Sequence, residues 1–108
     1  MAAFVKTLHE DFDSALSRIE NGILNGSLSA SLESKSDFYD GYSRCSVRVF
    51  ERYSWLGSNR VSLSVTLFQG DSGEVKLCAV ASGGSQAMFF KINTFGEERF
   101  LDTLRRLF

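Results

Sequence analysis

Arg44, Arg48 and Arg52 recur at every fourth position of one stretch, and Ser46 and Phe50 share their parity. In an extended strand that spacing sets all five side chains on one face. Arg60, Ser62 and Ser64 hold the corresponding side of the next stretch, and Lys76 that of a third. A row of guanidinium groups suits anion recognition, because its fork of donors matches phosphate and carboxylate oxygens. Arg44, Arg48, Arg52 and Arg60 are therefore candidates for binding an anionic ligand or RNA through an outward sheet face. The competing reading is a solvated face on which Arg and Ser serve solubility.

The segment Arg52-Tyr53-Ser54-Trp55-Leu56-Gly57-Ser58-Asn59-Arg60 joins bulky aromatic rings to a turn. Tyr and Trp couple an apolar body to a hydrogen-bonding tip, so Tyr53 and Trp55 suit the mouth of a pocket as well as a pinned hairpin. With Gln86 and Phe90 they form a candidate ligand-binding set between a sheet and a C-terminal helix. Glu51 has the parity of the apolar side of its stretch, so it is the one acid that burial could tune for proton transfer, with Arg52 or Asn93 beside it. His9 is the only histidine, which rules out a histidine dyad or a His-rich metal site. Ser82-Gly83-Gly84-Ser85-Gln86 has the glycine content of a phosphate loop. Such a loop must feed a helix N-terminus, and the Met88, Phe90, Ile92 alternation after it reads as a strand, so a tight turn or bulge is preferred. No metal spacing and no cofactor motif is present.

These side chains need elements to hold them. Asp11 offers an N-cap, and Phe12, Ala15, Leu16, Ile19 and Ile23 recur at helical spacing, which predicts a helix over about 12–24. A short strand over Phe4 to Leu8 precedes it. Period-two alternation then marks Leu28/Ala30/Leu32, Cys45/Val47/Val49, Val61/Leu63/Val65/Leu67, Val75/Leu77/Ala79/Ala81 and Met88/Phe90/Ile92 as the apolar sides of strands. Asp37 to Tyr42, Leu56 to Asn59 and Gly70 to Gly73 read as turns. Thr94 and Glu97 stand at capping-box spacing before Phe100, Leu101, Leu104, Leu107 and Phe108, one face of a last helix. Consecutive strands with short turns pair antiparallel. The prediction is an α+β, two-layer fold. An antiparallel meander of five to six strands carries the N-terminal and C-terminal helices on one face, in the order β-α-β-β-β-β-β-α. Phe50, Phe68 and Phe89 fall on the side opposite the helices, where self-association through that face or an edge strand would cover them.

Composition bounds the function classes. The 108 residues suit one domain, 1–108, and a net charge of −1 argues against general nucleic-acid binding. The start is no signal peptide, and no apolar run approaches the ~20 residues of a membrane span. Cys45 and Cys78 fit no metal or redox spacing and read as buried or half-buried thiols of a reducing cytoplasm.

Three stretches carry a resemblance: Asn21-Gly22-Ile23-Leu24-Asn25-Gly26-Ser27 with Ser29-Ala30-Ser31-Leu32-Glu33; Glu51-Arg52-Tyr53-Ser54-Trp55-Leu56-Gly57; and Ser82-Gly83-Gly84-Ser85-Gln86-Ala87 running through Phe89 to Glu97. Across nearly its whole length the chain resembles a family of short bacterial proteins of unknown function, which implies a bacterial source and brings no activity. The element order is also similar to helix-grip proteins, which implies an apolar cavity between sheet and helix. The leading expectation is a non-enzymatic, homodimeric module that binds a small apolar molecule or a protein segment. The alternatives are an anion or RNA binder and a small enzyme built on Glu51.

Overall fold

The computed structural model describes the backbone of residues 1–54, 59–83 and 90–108, and the side chains of 1–53, 60–83 and 96–108. Its elements run β1 (Ala2–Leu8), α1 (Phe12–Gly26), β2 (Ser31–Asp40), β3 (Ser43–Ser54), β4 (Asn59–Gln69), β5 (Val75–Gly83) and α2 (Phe90–Arg105). The five strands form one antiparallel sheet in the order β1-β5-β4-β3-β2. The fold is thus the expected α+β class, with a meander from β2 to β5 and β1 added beside β5.

Local chemistry explains each element. Asp11 caps α1 by accepting the Ser14 N–H at 2.9 Å, and Phe12, Ala15, Ile19 and Ile23 are buried along one stripe. In β4 and β5 the predicted alternation holds: Val61, Leu63, Val65, Leu67, Val75, Leu77, Ala79 and Ala81 are all buried. Gly73, at φ +83°, donates its N–H to Gly70 O at 3.1 Å and closes the turn between those strands. Phe100, Leu101 and Leu104 of α2 complete the core. The turn after α2 approaches α1 closely at Gly22, where a Cβ would lie 2.5 Å from a methyl of Leu107.

Four expectations change. The residues Phe90 and Ile92 belong to α2, so there is no strand over 90–92 and Thr94 and Glu97 lie inside the helix, not in a capping box. Buried Glu97 instead accepts the Gly83 N–H at 2.9 Å and pairs with the Met1 ammonium group. The segment 27–30 precedes β2, with Leu28 fully exposed, and the strand continues through 37–40 to a turn at Gly41. A bulge between Leu32 and Ser34 breaks the alternation that a regular strand would show. Cys78 is exposed, while Cys45 is half-buried, and both are free thiols.

The fourth change is the largest. The pairing of Ser46 with Leu67, Arg48 with Val65 and Phe50 with Leu63 turns Arg44, Ser46, Arg48, Phe50 and Arg52 toward the helices. Cys45, Val47, Val49, Glu51 and Tyr53 occupy the opposite, uncovered face. Phe50, expected outside, is completely buried; Phe68 does lie outside; Phe89 lies outside the described residues. The cause is the neighbour above the strand. α1 lowers carboxylates onto this part of the sheet, so the polar side of β3 finds polar partners indoors, and Phe50 anchors that register in the core.

Candidate anion-binding cleft

The three inward arginines of β3 have different surroundings. Arg44 makes two hydrogen bonds to Asp13 of α1, at 2.9 and 3.2 Å, and stacks 3.9 Å from the Phe12 ring centroid. The Asp13 hydrogen bonds raise its pKa further. Arg48 is buried; its Nε meets Glu20 of α1 at 2.6 Å and its Nη2 meets Asp37 of β2 at 3.0 Å. It also donates to the carbonyls of Ser36 and Val47 at 3.2 and 3.0 Å. The Ser46 hydroxyl, donating at 2.6 Å, holds the Asp37 carboxyl below its ordinary pKa; partial burial opposes this and Arg48 reinforces it. Both arginines are therefore clamps between α1 and the sheet, and neither belongs to an outward anion-binding face.

Arg52 is the exception. Its guanidinium sits 4.7 Å from the Phe100 ring centroid and donates to Ser27 Oγ at 3.2 Å. No carboxylate pairs with it among the described residues. Burial, with repulsion from Arg99 of α2 added, lowers its pKa. It lies in the wall of a cleft of about 490 Å³ that opens between the end of α1, β3 and α2. Ser27, Ser29, Tyr53, Arg99, Thr103 and Arg106 share that wall. Ser29 Oγ accepts the Tyr53 N–H at 3.0 Å, which fastens the segment before β2 to the end of β3. The one acid of the lining, Asp102, is held by Arg105 at 2.7 Å. The carbonyl end of α1 adds about half a negative charge. Three guanidinium groups, those of Arg52, Arg99 and Arg106, stand in the lining beside the paired Asp102.

Of the expected ligand set, Tyr53 is at this cleft, while Trp55, Gln86 and the Phe90 side chain lie outside the described residues. Of the expected anion set only Arg52 is there. Arg60 is on the opposite face, bound to Glu51 at 2.8 Å. That contact also removes Glu51 from any chemistry between sheet and helices. Helix α2 begins at Phe90, where a strand was expected, which overturns the strand argument against a phosphate loop; residues 84–89 themselves lie outside the described residues. Arg99 and Arg106 were not singled out from sequence. Their seven-residue spacing, with Thr103 between them, marks one flank of a helix and was the available signal.

A second cleft, of about 370 Å³, lies where β1 meets the end of α2. Its charges are engaged: Arg18 pairs with Glu10 at 2.9 Å and donates to Leu107 O at 3.1 Å, while Lys6 Nζ donates to Phe108 O at 2.6 Å. Among the described residues, no His, Cys, Asp or Glu side chains gather in threes as a metal site, and no helix is long and apolar enough to cross a membrane.

The profile of DUF6054, a family of unknown function, matches residues 1–108. The chain belongs to that family. No curated protein and no solved structure matches it. In this DUF6054 chain Arg52 is the arginine of β3 without a carboxylate partner among the described residues.

Proposed function

We propose that the protein is a non-enzymatic binding module that takes a small phosphate- or carboxylate-bearing ligand in the cleft between α1, β3 and α2. The observation that carries this reading is the contrast along β3. Arg44 and Arg48 each have carboxylate partners, whereas Arg52, on the same face, has a hydroxyl, a ring and a second arginine nearby. An anion would relieve the repulsion with Arg99 and match the guanidinium fork. Ser27, Ser29 and Thr103 supply hydroxyls in its lining. These charges favour an anion over a wholly apolar molecule. The free thiols Cys45 and Cys78 fit a reducing compartment, and with the likeness to short bacterial proteins we infer a bacterial cytoplasm.

Calorimetric titration with inorganic phosphate, a phosphate monoester and acetate tests the reading. At least one anion is expected to bind the wild type, more weakly as sodium chloride is raised, and to raise its melting temperature. Arg52→Met is expected to weaken that binding at least about tenfold. Without ligand the variant should be no less stable than wild type, because Met can pack on Phe100 and a desolvated, repelled charge is gone. Undiminished binding by Arg52→Met, or no binding of any of these anions to the wild type, would overturn the reading.

A further inference from the structure

The face of the sheet opposite the helices carries a second message, independent of the cleft. The pairings define rows that cross all five strands. One row is Ala3, Val80, Ser64, Val49 and Ser34; the next is Val5, Cys78, Thr66, Val47 and Ser36. Neither contains a charged residue. The following row, Thr7, Lys76, Phe68, Cys45 and Phe38, contains one. A freely solvated surface has roughly a quarter to a third of its positions charged. Here the charges stand at the rims, with Lys76 toward one end and the Glu51–Arg60 pair toward the other. Large apolar side chains remain in water on this face: Val5 is 73% exposed, Phe38 61% and Phe68 42%. Charge depletion at the centre, exposed aromatic rings on the same face and charges kept to the rim match the composition of a protein interface.

We infer that this face is the interface of a homodimer, in which two copies pack sheet against sheet. The size fits. Five strands about 4.8 Å apart, with about eight residues of about 3.3 Å each, give a face near 600 Å² in plane. Side-chain relief brings that close to the ~800 Å² that each partner contributes to a standard stable interface. The charge also fits a second copy: a face neutral at its centre meets itself without like-charge repulsion, as an isologous contact requires. The small Ser, Thr, Ala and Val side chains of the middle rows allow the close approach of two aligned sheets.

Thr66 sits in the central strand of the middle row, so Thr66→Arg should split the dimer while its outward position leaves the core intact. Analytical ultracentrifugation of the wild type is expected to show a dimer, and Thr66→Arg a folded monomer by circular dichroism. Cys78 should react with a maleimide much faster in the variant than in the wild-type dimer. If Thr66→Arg fails to fold, Val5→Lys, on the edge strand of the same row, gives the same readout. A wild type that stays monomeric at high protein concentration would overturn the inference. So would a dimer that survives the face variants, which would point to edge-strand pairing.

Discussion

Arg48→Met is expected to lower the unfolding free energy by about 3 kcal/mol, in the lower part of the range for breaking a buried ion pair from one side. The substitution preserves much of the side-chain volume and removes the charge that both Glu20 and Asp37 share. Those carboxylates keep 26% and 30% of their side-chain exposure, so water compensates them in part, which places the effect below that of a fully enclosed pair. The Ser36 and Val47 carbonyls also lose a donor. Urea unfolding should show a lower midpoint with an unchanged slope. Adding Glu20→Leu should return part of the loss, because an apolar pair no longer strands a charge beneath α1. A midpoint within experimental error of wild type for Arg48→Met alone would mean that the clamp contributes nothing net.

Phe50→Ala should cost about 3–5 kcal/mol, the usual range for deleting a buried ring. Its effect on β3 goes beyond the cavity. Phe50 is the one large apolar side chain on the inner side of that strand, whereas Val47 and Val49 lie on the other side. A slip of one residue would turn the valines toward the core and the arginines toward water. Phe50 opposes that slip together with the Arg48 ion pairs, and without it the two registers come closer in energy. Hydrogen exchange should therefore accelerate in β2 and β3 more than in β5. Uniform acceleration across the sheet would show that only packing, and not register, depends on the ring.

That competition also explains what the sequence could and could not reveal. β4 and β5 were legible because the helices cover them with apolar surface, so alternation reports burial directly. α1 was legible through its cap at Asp11 and its 12, 15, 19, 23 stripe. β3 was misread because hydrophobic alternation carries no information about the charge of the covering element, and here Asp13 and Glu20 receive the arginines. β2 was misread because the bulge after Leu32 exchanges its faces midway. The start of α2 was misread because Phe90 and Ile92 alternate as well as any strand over so short a run. At the cleft, Tyr53 and Arg52 were found from their types, while Arg99 and Arg106 became meaningful only once α2 lay across the end of β3.

The place of β1 has a consequence for how the protein is made. Ala2 lies opposite Ala81 and Leu8 opposite Val75, so the first strand of the sheet in chain order pairs with the last. Closing that ladder spans most of the chain and carries the largest loop-closure entropy in the fold. The hairpins between β2 and β5 are local and should form earlier. In pulse-labelled hydrogen exchange during refolding, the amides of β1 should be the last of the sheet to become protected, and early protection of β1 would exclude this order. Until then the edge of β5 stands open, and a nascent chain is at its most vulnerable to pairing with the wrong strand.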